Sequence, residues 1–182
     1  MSAQPSDPAP ERSQRERLRA AEPEALAALY RAHAPTLLRT AHALTGSVQD
    51  AEDIVQDLFV GLPEAVGKFD GTGSLEGWLR RVVVRMSLMR LRAGRRRRDT
   101  GIEEADTQLH GPRLESVLTD RLTIEQALRA LPDELRVIVV LKDIEGRSHQ
   151  DIAQLLGIRT NTAAVRLHRA RAVLRKLLME DR

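Results

Sequence analysis

The segment from Ser148 to Arg171 carries polar and basic side chains at helical spacing. Amide, hydroxyl, imidazole and guanidinium groups can reach base edges and phosphates when a helix lies in a major groove. Six such residues share the outer faces of the second helix predicted here: Asn161, Thr162, Arg166, His168, Arg169 and Arg171. The chemistry that they indicate is noncovalent recognition of DNA.

The elements that must position these side chains are two short helices joined by a turn. Ser148, followed three residues later by Asp151, predicts the cap of the first helix, and Thr160 predicts the cap of the second. Gly157 permits a left-handed turn between them, and Ala153 is small where the helices must cross. A helical hairpin with merely solvated arginines is the alternative, but the agreement of these signals in register favours a helix-turn-helix that binds DNA.

A second candidate site lies on an acidic helix that is predicted to begin at Ser47. Asp50, Asp53 and Asp57 follow at i, i+3 and i+7, an arrangement in which carboxylates of a helical enzyme can bind a metal. Such a site needs a second acidic helix facing the first, and no helix with comparable spacing is evident. The five His residues form no ligand pair, and no Ser-His-Asp or phosphate-loop pattern stands out. We therefore expect no metal, no cofactor and no enzymatic activity.

A loop with two glycines, residues 68–74, precedes a third helix that is rich in arginine. Ser74 predicts the cap of this helix, which runs into four consecutive arginines at 95–98. Trp78 is able to stack on an unpaired base, but its place beside the apolar stripe of the helix favours packing in the core. The pattern indicates a basic helix beside a loop that can adapt its backbone.

Charge is segregated along the chain, although its 182 residues carry a net charge of only +3. Acidic residues dominate the ranges 46–70 and 99–134, and basic residues dominate 75–98 and 157–182. The first basic block holds nine Arg against one Glu, and the second holds seven bases against two acids. Blocks this one-sided favour polyanion binding at two places over two merely solvated faces.

Composition predicts an all-α protein. Aromatic residues make up only 2% of the chain and Cys is absent, which disfavours a β-sandwich and excludes disulfides and thiolate metal sites. No apolar run approaches the ~20 residues of a membrane span, and the first residues lack the apolar core of a signal peptide. We expect a cytoplasmic protein without membrane insertion.

Two small helical domains joined by a flexible acidic linker are expected from the apolar periodicity. From the N-terminus, the predicted parts are a disordered tail, a first domain, the linker and a second domain: residues 1–22, 23–98, 99–120 and 121–180. The tail combines three prolines with few apolar residues. In the second domain the apolar run 137–141 fits a helix or a short strand, and a helix is preferred because no partner strand is evident.

Together these motifs resemble the extracytoplasmic-function (ECF) group of bacterial RNA polymerase sigma factors, over roughly residues 25–178. The segment Asp50-Ala-Glu-Asp-Ile-Val-Gln-Asp-Leu-Phe59 is similar to the core-binding helix of the family's region two. Gly77-Trp-Leu79 and Arg90-Leu-Arg92 are similar to its promoter-melting and start-proximal recognition helix, and Leu167-His-Arg-Ala-Arg171 is similar to region four. Two motifs in the family's order, joined by an acidic linker, are more specific than either alone.

The resemblance implies a protein that binds core RNA polymerase, directs it to promoters and helps to open the DNA. The polymerase contact, on the clamp coiled coil of the largest subunit, would be made by Asp50, Asp53, Gln56 and Asp57. At the start-proximal (minus-ten) promoter element, where the loop receives a flipped base, the implied residues are Lys68, Phe69, Asp70, Gly71, Ser74, Trp78, Arg81, Arg85 and Arg92. At the upstream (minus-thirty-five) element they are Thr160, Asn161, Thr162, Ala164, Val165, Arg166 and Arg169. The acidic linker would follow the RNA channel of the polymerase, and an anti-sigma factor is a further implied partner.

The sequence departs from the family pattern in both DNA-binding helices. Arg85 and Met89 stand where the family commonly has Asn and Asp, so its start-proximal base preference does not carry over. The run from Thr162 to Arg166 lacks one cation and one hydroxyl of the usual pattern. Two alternatives stay open: a helix-turn-helix regulator that acts without core polymerase, and an inactive sigma-like adaptor. The regulator predicts tight binding to duplex DNA alone, whereas a sigma factor predicts weak, salt-sensitive binding alone.

Overall fold

Helices form the regular structure of the protein in a computed structural model that describes residues 9–71, 73–99 and 119–180. Side chains are described for residues 14–71, 73–97 and 124–179. No strand occurs within these ranges, so the predicted all-α fold is confirmed. The helices are α1 (Ala9–Arg19), α2 (Pro23–Thr45), α3 (Val48–Ala65), α4 (Leu75–Asp99), α5 (Thr119–Ala130), α6 (Asp133–Val139), α7 (His149–Leu156) and α8 (Thr160–Glu180). A 3₁₀ turn, Val66–Lys68, follows α3, and a π-helical turn, Val140–Ile144, follows α6.

The described residues pack as two units. The first contains α1, α2 as far as Ala41, α3, and α4 as far as Met86. The second contains the segment His42–Ser47, the rest of α4 from Ser87, and α5 to α8. The apolar periodicity predicts that the first domain ends at residue 98, and the predicted domain limits stay predictions. Residues 100–118, most of the predicted acidic linker, lie outside the described residues.

The core of the first unit is built from one face of each of its helices. Leu29 and Leu37 of α2 are buried together with Ile54 and Leu58 of α3 and with Leu79 of α4. The spacing of eight residues in α2 and of four residues in α3 returns to the same side of an α-helix. This burial holds α3 and α4 in place and leaves their opposite faces in solvent.

Helix α1 lies within residues 1–22, which the composition predicts to be disordered. It spans Ala9–Arg19, and Leu18 is fully buried in the core of the first unit. Arg17 forms an ion pair with Glu22 at 2.7 Å just beyond the helix end. A single apolar side chain among charged residues gives no helical periodicity to detect, yet burying one Leu stabilises a packed segment by roughly 1.5–3 kcal/mol. Residues 1–8 of the predicted tail lie outside the described part of the chain.

The core of the second unit comes from α5 to α8. Its buried apolar residues include Leu128, Leu131, Val137, Ile138, Leu141, Ile152, Ala163, Leu167 and Ala170. The run 137–141, predicted as a helix in preference to a strand, is helical through the end of α6 and the π-helical turn. The run is continuously apolar because it is buried on several sides. Periodicity alone cannot distinguish a helix from a strand in such a run.

His42 contacts α5 within the second unit. Its Nε2 lies 2.9 Å from Nη2 of Arg129, and because an arginine can only donate, that imidazole nitrogen accepts and carries no proton. Burial is the main cause that lowers the pKa of His42, and the Arg129 charge adds to it. Among the other charged groups that face the ring, Glu125 raises this pKa and Arg136 lowers it.

We expect His42 to make the second unit less stable as the solution is acidified. Its pKa in the folded chain lies below the ordinary value of 6.5, so the unfolded chain takes up the proton more readily. The stabilisation is present above about pH 6.5 and is lost as the pH falls through the folded-state pKa. Thermal unfolding of the wild type and His42→Gln between about pH 7.5 and 5.5 measures the effect. We expect the loss of thermal stability on acidification to be smaller in His42→Gln than in the wild type. Equal losses in the two proteins would contradict the role of His42.

Candidate functional site

The predicted helix-turn-helix is formed by α7 and α8. The Ser148 hydroxyl accepts a hydrogen bond from the Asp151 amide at 3.0 Å, and the Asp151 carboxylate accepts one from the Ser148 amide at 3.2 Å. This capping box confirms the predicted start of α7, and the Ser148 hydroxyl is the main cause that lowers the pKa of Asp151. Gly157 ends α7 with a φ of 67°, the left-handed conformation that the turn was predicted to need.

The exposed face of α8 carries most of the residues predicted for the upstream element. Thr160 is the first helical residue rather than the predicted cap, because the carbonyl of Arg159 accepts the first helical bond, from the Ala163 amide at 3.1 Å. On the side opposite the buried Ala163, the exposed residues include Asn161, Val165, His168 and Arg169. Thr160 is also exposed, and Thr162 and Ala164 are partly exposed. His168 belongs to the polar residues identified on this helix from the sequence, but it is absent from the set that the resemblance implies for the upstream element.

Arg166 lies at the edge of this face and has an acidic partner on α6. Its Nη2 is 3.2 Å from a carboxylate oxygen of Glu134, and 30% of the Arg166 side chain is exposed. The other oxygen of Glu134 accepts from Arg95 of α4 at 3.2 Å. Arg92 of α4 donates to the carbonyl of Leu155 at 2.9 Å. Two residues assigned from the sequence to different promoter elements, Arg92 and Arg166, therefore both have protein partners within the second unit.

The acidic helix is α3, which buries one face and exposes the other. Its buried residues are Ala51, Ile54, Val55, Leu58 and Leu62. Gln56 and Asp57 are exposed, and Asp50 and Asp53 are partly exposed. All four residues predicted to bind polymerase thus lie outside the buried face of one helix, where a partner protein can reach them.

An apolar groove beside Gln56 was not identified from the sequence. Tyr30 of α2 and Phe59 and Val60 of α3 line a groove of about 480 Å³. The two rings meet edge to face with centroids 4.9 Å apart, while Tyr30 is 46% and Val60 is 75% exposed. The sequence signal for this groove was Val60. It follows Asp53 by seven residues and therefore falls on the exposed face of the helix, where core packing requires no apolar side chain.

The predicted loop joins the 3₁₀ turn to α4. Gly71 and Gly73 have φ values of 81° and 77°, which side-chain-bearing residues rarely adopt. The Ser74 hydroxyl accepts from the Gly77 amide at 3.1 Å and caps α4 as predicted. The exposed side chains of the loop include Lys68, Asp70 and Ser74. This arrangement places exposed polar side chains beside a backbone of unusual conformation.

The structure corrects the DNA contact predicted for Phe69. Its side chain is only 1% exposed, and its ring lies 5.9 Å from the ring of Trp78. Arg15 of α1 lies over the Phe69 ring, with its Cζ 5.1 Å from the ring centroid. Trp78 is partly buried against the core, which agrees with its preferred packing role. Phe69 therefore attaches the beginning of the loop to the folded unit, because burying its ring is more favourable than leaving it in water.

Two of the arginines assigned to the start-proximal element, Arg81 and Arg85, are exposed on the part of α4 that belongs to the first unit. Their separation of four residues returns to the same side of an α-helix. This side of α4 starts next to the loop, whose last residue is Ser74. Arg92, the third arginine of this set, is exposed in the second unit.

Two kinds of feature are absent from the described residues. No group of three or more His, Asp or Glu side chains among them is arranged to hold a metal ion, so Asp50, Asp53 and Asp57 form no such group. Of the helices described, none combines the length and the apolar character that crossing a membrane requires.

Comparison with known proteins finds two family models in the chain. Sigma-70 region 2 matches residues 29–97, and Sigma-70, region 4 matches residues 121–174. ECF RNA polymerase sigma factor SigE of Mycolicibacterium smegmatis is 38% identical over 155 residues, which cover 82% of this chain and 60% of SigE. ECF RNA polymerase sigma factor SigL of Mycobacterium tuberculosis is 34% identical over 166 residues, which cover 88% of this chain and 93% of SigL. The chain therefore spans about three fifths of the first relative and nearly all of the second.

Two solved structures are also similar. The sigma factor RpoE of Bartonella quintana, in complex with the anti-sigma factor NepR, has a TM-score of 0.59 and 28% identity over 82% of this chain and 93% of its own. CnrH, in complex with the cytosolic domain of CnrY, has a TM-score of 0.56 and 25% identity over 94% of this chain and 98% of its own. These matches confirm the resemblance seen in the sequence. The chain belongs to the ECF group of RNA polymerase sigma factors.

Proposed function

We propose that the protein binds core RNA polymerase, directs it to specific promoters and helps to open the DNA there. The observation that carries the proposal is the order of three surfaces along the chain. They are the solvent-facing side of α3, the loop with the arginines of α4, and the exposed face of α8. Both matched sigma regions support this order. The role is non-enzymatic, involves no cofactor, and belongs to the cytoplasm, where RNA polymerase works.

Core binding is assigned to α3 and the adjoining groove. Asp50, Asp53, Gln56 and Asp57 offer carboxylates and an amide, and Tyr30 and Phe59 offer apolar contact beside them. Charged groups steer and orient a partner, whereas aromatic residues in a groove supply most of the affinity of an interface. The matching partner is a basic helix with apolar residues, and we assign it to the clamp coiled coil of the largest polymerase subunit.

Promoter opening is assigned to the loop and the arginine side of α4. Extruding a base from the duplex costs a few kcal/mol and needs a site that receives it. Lys68, Asp70 and Ser74 offer exposed polar groups for the flipped base, and Arg81 and Arg85 offer cations for the strand backbone. The upstream element is read by α8, through its exposed face and Arg166.

Run-off transcription with purified core polymerase on a library of genomic fragments tests this function. A sigma factor yields discrete transcripts that require both the protein and the core enzyme. A duplex-binding regulator instead binds fragments tightly without polymerase. An inactive adaptor binds polymerase but yields no transcripts. The complexes of the similar structures support a further test, in which an anti-sigma factor suppresses these transcripts.

Arg166→Ala is expected to weaken binding to the upstream element by about 1–3 kcal/mol and to relax selectivity at one base pair. The ion pair with Glu134 does not prevent a base contact, because partly exposed ion pairs contribute only about 0–1 kcal/mol. Holoenzyme binding to matched and single-substituted upstream elements measures the change. Arg175→Ala, exposed on the same helix beyond the recognition residues, is the control. Unchanged promoter selectivity in Arg166→Ala would remove Arg166 from the reading surface.

A further inference from the structure

We propose that Arg15 of α1 is a positioning residue that holds the start-proximal loop in the conformation that selects its base. The inference rests on the function proposed above and assigns a role to a residue outside the matched sigma region, which begins at residue 29. Arg15 acts on DNA through the loop and not by direct contact.

One guanidinium contacts the loop in three ways. Arg15 donates a hydrogen bond to the carbonyl oxygen of Phe69. It also lies over the Phe69 ring, with Cζ 5.1 Å from the centroid, which is a cation–π geometry. A Cβ atom placed on Gly71 would lie 3.4 Å from Nη1 of Arg15, so the arginine also abuts the glycine that turns the loop. The guanidinium of Arg15 therefore bonds to the backbone just before Asp70 and lies beside the glycine just after it.

Helix α1 is fixed firmly enough to serve as this support. Leu18, one turn after Arg15, is fully buried in the core of the first unit. The helix packs against both α3 and the 3₁₀ turn Val66–Lys68, and the amide of Phe69 bonds to the carbonyl of Val66 at 3.2 Å. Arg15 thus connects a packed helix to the first residues of the loop.

The loop needs such a support because its own sequence does not define its shape. Gly71 and Gly73 both have positive φ, and glycine has more backbone freedom than any other residue. A site that distinguishes bases must hold its donors and acceptors in fixed places. A charge-assisted hydrogen bond to the carbonyl two residues before Gly71 reduces that freedom where the loop begins.

The test is transcription by the holoenzyme, made from core polymerase and the full chain, on templates with a randomised start-proximal element. Sequencing of the transcripts gives the base preference at each position. Arg15→Ala is expected to reduce the preference at one position about tenfold or more, since a hydrogen bond from a charged group is lost. Preference at the upstream element is expected to stay unchanged. A merely structural role would lower transcription from all templates equally and leave the base preference intact.

Arg19→Ala, an exposed arginine on the same helix, is the matched control and is expected to keep the wild-type preference. If Arg15→Ala proves unstable, Arg15→Met decides, because Met keeps an apolar stem over Phe69 but has neither the charge nor a hydrogen-bond donor. Wild-type base preference in a folded Arg15→Ala or Arg15→Met overturns the proposal. A wild-type holoenzyme that yields no selective transcripts refutes the proposed function instead, so the two failures are distinguishable.

Discussion

Asp53→Arg is expected to abolish binding to core RNA polymerase while leaving the helix content of the protein unchanged. Asp53 lies outside the buried face of α3, and Arg is a good helix former, so the substitution disturbs no core packing. Close charge pairs at protein interfaces have coupling energies of about 1.5–7 kcal/mol, and reversal replaces attraction by repulsion. We therefore expect the affinity to fall by about 100-fold or more.

Titration of labelled core polymerase with the wild type and the variant, near physiological salt, measures this loss, and far-ultraviolet circular dichroism checks the fold. Glu64→Arg is the matched control, because Glu64 is an exposed acid of the same helix outside the predicted contact residues. It is expected to bind within a few-fold of the wild type. Retained affinity in Asp53→Arg would move the polymerase contact away from the exposed side of α3.

The helix-turn-helix shows which part of the structure the sequence could predict. Ser148 and Asp151 form the expected capping box, and Gly157 has the expected left-handed backbone. Both features depend on residues within a few positions of one another, so their chemistry is visible in a short stretch of sequence. The buried and exposed sides of α3 and α8 were predictable for the same reason, because helical periodicity is local.

Contacts between distant residues could not be predicted in this way. Arg15 and the carbonyl of Phe69 are 54 positions apart, and Arg92 and the carbonyl of Leu155 are 63 apart. A helical pattern states that an arginine faces outward, but only the packing of other elements decides whether it meets water, DNA or a protein carbonyl. Phe69 illustrates the same limit, because the resemblance implied a contact with DNA, whereas its side chain is buried beside Arg15 of α1 and Trp78. The roles of individual site residues came from the family resemblance and not from local physics.

Arg136 is the residue whose loss is expected to destabilise the second unit most. Its side chain is 5% exposed and lies among acceptors from two segments of that unit. It donates to the carbonyls of Leu44 at 3.1 Å, Thr45 at 3.1 Å and Leu131 at 3.3 Å, and to the Asp133 carboxylate at 2.6 Å. A single guanidinium therefore joins the segment His42–Ser47 to the start of α6.

Arg136→Met removes the charge and every donor while keeping an apolar side chain of similar length. Three buried carbonyls lose the hydrogen bond from Arg136, and Asp133 loses its ion pair with Arg136 while Arg95 stays 4.0 Å away. The unfolding free energy of the second unit is therefore expected to fall by about 3–5 kcal/mol. For a unit of this size the melting temperature falls by roughly 10 °C or more, measurable by calorimetry on the full chain. Arg159→Met, at an exposed arginine of the same unit, is expected to shift it little. A similarly small shift in Arg136→Met would mean that water replaces the lost donors, and that hydrophobic packing alone holds segment 42–47 against α6.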